Sequence, residues 1–336
     1  MIRTTRSFAI LVVAGVLAAC SSDKVTAPVA ALISLAPSAT GSLVSIGETR
    51  TVAAAVRSAS QVAIPEAIVT FASSNASVAT VTTSGSTATI TAVGNGTATI
   101  TATSGAATAT LDITVAQRLA TIALTAGRPT SAIGDTATLT VAARDARGAA
   151  IAGVTGYSYT TATARTAVVS TAGLVTAIAP GTVAITGSLT RDGVTATANA
   201  SVTVTAPTTG FFTLMNGANE RPTTPVSSTG ASVFTLTGTT MNYVITFQGL
   251  ASGPTGLHIH SPGGTNVNVG VSVDLRGAQR PPDTGVLRGS FTAANIATPG
   301  VSLDSMLVLI RTGNAYINVH STTYPGGEIR GQLGTP

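Results

Sequence analysis

The feature that most constrains this fold is a strict alternation of threonine with small apolar residues along short segments. Residues 87–93 read Thr-Ala-Thr-Ile-Thr-Ala-Val, and residues 97–102 repeat the pattern after Gly94-Asn95-Gly96. Successive side chains of a β-strand point to opposite faces, so this alternation places the apolar groups on one face. Glycine tolerates the positive φ angles of tight turns, which predicts a hairpin between these two segments. We therefore expect an all-β chain.

The composition also favours a folded β protein and argues against a nucleic-acid-binding protein. Charged residues make up 9% of the chain and aromatic residues 4%. Threonine and valine are abundant, which favours strands over helices and is not typical of disordered proteins. The net charge is +5, with two of the positive charges on Arg3 and Arg6, and no basic stripe carries interleaved aromatic residues. We therefore expect no nucleic-acid partner.

The single cysteine, Cys20, follows a basic and then apolar N-terminus. The apolar run over residues 8–19 is too short to span a bilayer but has the length typical of an export signal. It ends in Leu17-Ala18-Ala19-Cys20, which resembles a bacterial lipobox, where the cysteine thiol is acylated and the signal is removed in front of it. An ordinary signal peptide that happens to contain a cysteine is the alternative interpretation.

The lipobox resemblance implies a lipoprotein signal peptide over residues 1–19, then the lipidated Cys20 and a tether up to residue 31. Several acyl chains together form a lasting anchor, since each buried methylene contributes about 0.8 kcal/mol. Ser21 follows the cysteine, which by resemblance to the sorting rule of enteric bacteria favours the outer membrane. We expect an exported protein whose lipid attaches it to the membrane of the bacterial cell envelope.

Two segments of the chain repeat one another at the spacing of a domain. Residues 46–49 (Ile-Gly-Glu-Thr) recur as 133–136 (Ile-Gly-Asp-Thr), and the glycine-containing stretch that begins at Ala92 recurs from Ala177. The copies lie about 86 residues apart, which is longer than the repeat of a solenoid. We expect two domains, over residues 32–116 and 117–206.

Particular residues in both copies point to one family. Residues 73–81 (Ser-Ser-Asn-Ala-Ser-Val-Ala-Thr-Val) and 92–100 (Ala-Val-Gly-Asn-Gly-Thr-Ala-Thr-Ile) resemble the signature of the group 2 bacterial immunoglobulin-like (Ig-like) domain. The second copy keeps Gly-Leu-Val-Thr-Ala at 173–177 and Gly-Thr-Val-Ala-Ile at 181–185 but lacks the Ser-Asn pair. The resemblance implies tandem immunoglobulin-like β-sandwiches that act as spacer or adhesive modules without catalysis.

The region over residues 207–336 differs in composition and carries all three histidines. Two polar residues separated by one apolar residue share a face when the segment is a strand. Three polar pairs have this spacing: His258 and His260, Asn318 and His320, and Glu328 and Arg330.

Motifs in this region resemble the chordin-type CHRD domain over about residues 211–334. They are the stretch 214–222 around Glu220, Gly-Leu-His-Ile-His at 256–260, Gly-Val-Ser-Val-Asp-Leu at 270–275, Ala-Tyr-Ile-Asn-Val-His-Ser at 315–321, and Pro-Gly-Gly-Glu-Ile-Arg-Gly-Gln-Leu at 325–333. Arg221 departs from the family, which more often has a small apolar residue there before paired prolines. The resemblance implies an antiparallel all-β domain of extracellular proteins whose biochemical role is poorly defined.

The histidines support two interpretations. His258, His260 and His320 could supply three nitrogen ligands to Cu or Zn, with Asn318 or Glu328 orienting a ring. Alternatively, imidazoles bonded to Asn318, to a Glu328–Arg330 pair or to the backbone would fix strand register without a metal. Both interpretations predict that the three rings converge, and neither establishes a cofactor.

No sequence pattern indicates catalysis. The chain has no Gly-x-Ser-x-Gly elbow, Walker loop, dinucleotide fingerprint or CxxC pair. We expect a non-catalytic envelope lipoprotein that uses Ig-like spacers to present the CHRD domain for binding or adhesion, with a surface protein or polysaccharide as partner. The alternatives are a Cu- or Zn-binding envelope protein that uses the histidines and a purely structural envelope component.

Overall fold

The structure is a computed structural model that describes residues 27–276 and 285–336. The prediction of an all-β chain is confirmed, since antiparallel sheets dominate the described residues. The predicted signal and Cys20 lie outside the described residues. No helix in the described ranges has the length and apolar character needed to cross a bilayer.

The described residues form two compact units. The first comprises residues 27–41, 49–91 and 97–114, and the second comprises 42–48, 92–96, 115–276 and 285–336. The strands within residues 32–115 form two sheets in the orders β1-β2-β5-β4 and β3-β6-β7. They are β1 (Leu32–Pro37), β2 (Thr49–Arg57), β3 (Thr70–Ser73), β4 (Ala79–Ser84), β5 (Thr87–Ala92), β6 (Gly96–Ser104) and β7 (Ala107–Val115).

The alternation of threonine and apolar residues determines which face of each strand is buried here. Ala88, Ile90 and Ala92 of β5 are buried, while the threonines between them are exposed or half-buried. The predicted hairpin is wrong, because β5 pairs with β2 and β4 whereas β6 pairs with β3 and β7. Both strands have an apolar face to bury, and the chain between them crosses from one sheet of the sandwich to the other.

Residues 121–205 form a second sandwich, within the second unit. Its sheets have the orders β12-β13-β10-β8 and β11-β14-β15-β9, with β9 parallel to β15. Leu124, Leu139, Val175, Val183 and Ile185 pack together between the two sheets. The strands are β8 (Thr121–Ala126), β9 (Thr130–Ala132), β10 (Thr136–Arg144), β11 (Ser158–Thr161), β12 (Ala167–Val169), β13 (Leu174–Ala177), β14 (Gly181–Arg191) and β15 (Val194–Thr205).

The strands after residue 206 form one long sheet in the order β20-β19-β22-β23-β16-β17-β18-β21, and we refer to this part of the chain as the C-terminal domain. Tyr243 of β18 donates a hydrogen bond to the Leu275 carbonyl just after β20, so two strands far apart in the sheet order approach each other. The strands are β16 (Phe211–Asn216), β17 (Thr229–Thr237), β18 (Thr240–Gln248), β19 (Pro254–His260), β20 (Val271–Asp274), β21 (Gly285–Phe291), β22 (Tyr316–Ser321) and β23 (Ile329–Gln332). Two short 3-10 helices span Gly217–Asn219 and Ala293–Asn295.

A helix, α1 (Leu303–Arg311), packs on the apolar side of this sheet. The Ser302 side chain caps it by accepting from the Ser305 backbone N–H. Leu303, Met306, Leu307 and Ile310 of the helix join the apolar core. The expectation of a purely β domain therefore omitted this element.

The second sandwich packs directly against the C-terminal domain. Ile133, Ala177 and Val204 of the sandwich form one buried cluster with Ala231 of β17. The Thr246 hydroxyl donates to the Ile178 carbonyl at 2.6 Å, and Thr246 is fully buried. These contacts hold the C-terminal domain against the second sandwich.

We expect Thr246→Val to lower the free energy of unfolding by about 1–3 kcal/mol, because the buried Ile178 carbonyl loses its hydroxyl partner. Urea denaturation followed by circular dichroism measures this. Thr138→Val, at an exposed threonine of β10, is the matched control and should leave stability nearly unchanged. Equal effects of the two variants would contradict this account of the contact.

Candidate functional site

The candidate site lies on the polar face of β19, β22 and β23. Pairing places His258 opposite Asn318, His260 opposite Tyr316, and Gly256 opposite His320. The residues between them belong to the opposite, apolar face and enter the core: Leu257, Ile259, Ile317, Val319 and Ile329. The structure thus brings the three histidines and Asn318 together on one face.

His260 has a polar neighbour at each of its two ring nitrogens. Its Nδ1 lies 2.8 Å from the Val269 carbonyl oxygen and its Nε2 lies 3.0 Å from Asn318 Oδ1. A carbonyl only accepts, so Nδ1 carries the hydrogen and a neutral ring has its lone pair on Nε2. The ring also stacks on Tyr316, with centroids 4.7 Å apart.

His320 has the same arrangement of hydrogen and lone pair. Its Nδ1 lies 2.9 Å from the Pro325 carbonyl oxygen, and the lone pair is again on Nε2. That Nε2 lies 2.9 Å from Asn318 Oδ1 and 3.0 Å from His258 Nδ1.

His258 completes the cluster from the side open to solvent. Its Nε2 lies 4.0 Å from Asp274 Oδ1, and its side chain is 20% exposed. One nitrogen from each of the three histidines lies within 4.8 Å of the others. A Cβ at Gly256 would come within 2.8 Å of the His258 ring, so glycine at this position leaves space for the imidazoles.

Arg330 contacts the loop that connects β19 to β20 and does not contact the histidines through hydrogen bonds. Its nitrogens donate to Asn268 Oδ1 and to the Gly264 and Val267 carbonyls. Its guanidinium carbon lies 3.3 Å from the centroid of the Tyr316 ring. Arg330 therefore fixes the loop that supplies the Val269 carbonyl to His260.

The Glu328 side chain points away from the histidines. Its Oε1 accepts from the Ser228 hydroxyl at 2.7 Å and from the Ala251 backbone N–H at 2.8 Å. Its Oε2 has no hydrogen-bond partner within the described residues. The expected Glu328–Arg330 pair and a role for Glu328 in orienting a ring are not seen, because the carboxylate bonds to Ser228, directly before β17, and to Ala251, shortly before β19.

Glu220 belongs to the site, although the sequence indicates only that it lies in a motif resembling the CHRD family. It is 3% exposed, and burial raises its pKa to about 7 against the opposing effects of Arg330, the Arg221 backbone N–H and the Asn318 amide. The Asn318 amide is near enough to act on this pKa, yet Glu220 Oε1 has no partner of ordinary hydrogen-bond geometry in the described chain. A lone Glu in a loop gives no sequence signal of burial.

Burial also determines the charge of the histidines. Desolvation lowers the pKa of His258 to about 4, with the neighbouring His320 as the second cause. It lowers the pKa of His260 and that of His320 as well. The rings are therefore neutral near pH 7, and each has one nitrogen lone pair. Such a cluster can accept hydrogen bonds or bind a cation.

Comparison with protein families establishes the domain content. Residues 211–333 match the CHRD domain, and residues 32–115 match the bacterial Ig-like domain (group 2). The chain contains a bacterial Ig-like domain and a CHRD domain. No curated protein matches this chain.

Solved structures that resemble this chain include surface proteins. Domains 4 and 5 of the S-layer protein SbsC are 22% identical, and the match covers 53% of this chain and 100% of that one, with a TM-score of 0.25. The Escherichia coli adhesin FdeC is 16% identical over 90% of this chain and 93% of its own, with a TM-score of 0.30. The Yersinia pseudotuberculosis adhesin InvE is 17% identical over 51% and 58%, with a TM-score of 0.29. These scores are too low to support a functional inference.

We expect Glu220→Gln to gain stability relative to the wild type as pH rises. From pH 4.5 to 7 the native carboxyl keeps a proton that the unfolded chain has released, so wild-type stability from this group falls through that window. Glutamine is neutral throughout, and the difference between the two proteins should grow by roughly 3 kcal/mol from about pH 4 to pH 8.

Urea denaturation at both pH values measures this difference. Glu66→Gln, at an exposed carboxylate, is the control. The histidines contribute equally to the wild type and to the Glu220→Gln variant, so their titration cancels in the comparison. A difference that stays constant with pH would show that the Glu220 carboxyl is not desolvated.

Proposed function

We propose that this chain is a non-catalytic lipoprotein of the bacterial cell envelope that presents its CHRD domain for binding to a surface protein or polysaccharide. The order of the modules carries the proposal. A lipobox-like Cys20 comes first, an Ig-like domain and a second sandwich follow, and the CHRD domain comes last. Spacers between an anchor and a distal domain are useful when the distal domain must reach a partner.

The sandwiches support a role as spacers. Their strands bury small apolar residues on one face and expose threonines on the other, which gives stable sheets with few charged side chains. Within the described residues, the one group of three His, Cys, Asp or Glu side chains placed closely enough to hold a metal ion lies in the CHRD domain. The three histidines, the side chains best suited to bind a ligand, are thus far from Cys20 in the sequence.

The surroundings of the histidines support a non-catalytic role. In the described structure their ring nitrogens lie within hydrogen-bond distance of carbonyls, of Asn318 and of one another. None of these contacts is to a serine, threonine or cysteine side chain. Activation of a side-chain nucleophile by a histidine base requires such a contact.

We expect Cys20→Ser to abolish lipid attachment and to move the protein from the membrane fraction to the soluble exported fraction, since the thiol is the acylation site. Metabolic labelling with an alkyne fatty acid, followed by fractionation, measures both effects. Ser21→Ala is the control and should stay labelled. A Cys20→Ser protein that still carries label would contradict the assignment of the anchor.

We expect deletion of residues 32–115 to weaken the retention of whole cells on immobilised envelope polysaccharide or surface proteins, because the CHRD domain is then held closer to the membrane. The second sandwich is kept because it packs against the CHRD domain. The same two proteins, purified with Cys20→Ser, should bind these surfaces equally. Equal loss in both assays would contradict a spacer role.

A further inference from the structure

We propose that His258, His260 and His320, together with the Asn318 side-chain oxygen, form a binding site for one divalent first-row metal ion of the Zn²⁺ or Cu²⁺ class. This inference concerns the CHRD domain alone and does not depend on the lipid anchor or on the spacers.

The first supporting observation is that each imidazole has one nitrogen directed outward to an oxygen acceptor. These acceptors are the Val269 carbonyl for His260, the Pro325 carbonyl for His320, and the Asp274 carboxylate for His258. Metal-binding histidines characteristically donate their second N–H to a carbonyl or carboxylate, which fixes the tautomer and the orientation of the ring. His260 and His320 have this arrangement, whereas the Asp274 carboxylate lies 4.0 Å from His258 Nε2, beyond hydrogen-bond distance.

The second observation is that the inward nitrogens of His260 and His320 and the Asn318 side-chain oxygen between them are all acceptors. The Nε2 atoms of His260 and His320 lie 3.0 Å and 2.9 Å from Asn318 Oδ1. With both hydrogens on Nδ1, these nitrogens present lone pairs to an oxygen that also only accepts. A cation at the centre would convert this repulsion into coordination.

The orientation of Asn318 follows from its surroundings. A Cβ built on Gly327 would lie 2.5 Å from Glu220 Oε1 and 2.8 Å from Asn318 Nδ2, so the amide nitrogen is on the side of the Glu220 carboxyl. The amide oxygen is then directed to the imidazoles. The reverse orientation would donate both amide hydrogens to the two Nε2 atoms and form a metal-free network, which is the competing explanation.

The ligand set determines the class of metal. Three imidazole nitrogens and one amide oxygen suit Zn²⁺ and Cu²⁺, whereas Ca²⁺ and Mg²⁺ require oxygen ligands. Zn–N bonds are about 2.0–2.1 Å long, which places two ligand nitrogens up to about 4 Å apart. The three nitrogens lie within 4.8 Å of one another, so the most widely spaced pair must move closer together when one ion binds. His258 is partly exposed, which gives an ion a route into the site.

Equilibrium dialysis of the full chain tests the proposal. The protein is purified without a polyhistidine tag, stripped with a chelator, and dialysed against Zn²⁺ or Cu²⁺. Metal is then counted by mass spectrometry. We expect close to one ion per chain, and electron paramagnetic resonance of the Cu²⁺ form should show coupling to imidazole nitrogens.

Variants separate the metal site from the hydrogen-bond network. His258→Gln, His260→Gln and His320→Gln should each lose bound metal. Asn318→Asp should keep it, because a carboxylate oxygen is an equally good ligand. Asp274→Asn should weaken affinity by about tenfold without changing the stoichiometry, since Asp274 acts only by positioning His258.

Thr246→Val is the matched control for stability, because it destabilises the same domain at a position far from the histidines. The Thr246→Val protein should still bind one ion per chain. His258→Gln is the most informative ligand variant, since its side chain is the partly exposed one and it should fold. A wild type that takes up neither metal would overturn the proposal. Uptake that survives all three histidine substitutions would overturn it equally, because the ion would then be bound elsewhere.

Discussion

The pairing of β19 with β22 is the constraint on which the site depends. It places Gly256 opposite His320 and His258 opposite Asn318, while Leu257 and Ile259 enter the core from the other face. A register slip of one residue would exchange the two faces and bury imidazoles in place of aliphatic groups. The apolar core therefore fixes the position of the histidines before any of their own contacts form.

A second layer of contacts then covers the polar face. Arg330, 1% exposed, lies over Tyr316 and donates three hydrogen bonds to the loop that supplies the Val269 carbonyl. A buried guanidinium without such partners would be strongly destabilising. Because these acceptors are on the loop, the contacts that satisfy Arg330 also position the loop above His260. Stability of the domain and the geometry of the cluster thus depend on the same bonds.

Sequence periodicity predicted what depends on strand geometry and missed what depends on packing between distant segments. The alternation around Ile90 and the shared face of His258 and His260 follow from the two-residue period of a strand. The hairpin between β5 and β6 was wrong because periodicity does not say which sheet a strand joins. The helix α1 carried a signal, a Ser302 cap with apolar residues at helical spacing, which the strand-rich composition around it obscured. The burial of Glu220 and the diversion of Glu328 to Ser228 left no local signal.

The two explanations of the histidine cluster differ in the orientation of one amide. A metal site and a hydrogen-bond network need the same strands, the same register and the same outward bonds from Nδ1 of His260 and His320. They differ in which end of Asn318 faces the rings, and in this structure the amide nitrogen lies on the side of Glu220, a residue nearly a hundred positions earlier in the chain. The donor side of the amide faces a carboxyl that lacks a partner at Oε1 within the described residues, which leaves its acceptor side for the imidazoles. Strand pairing therefore determines where the histidines and Asn318 lie. Whether they can bind a metal depends on the orientation of the Asn318 amide beside Glu220.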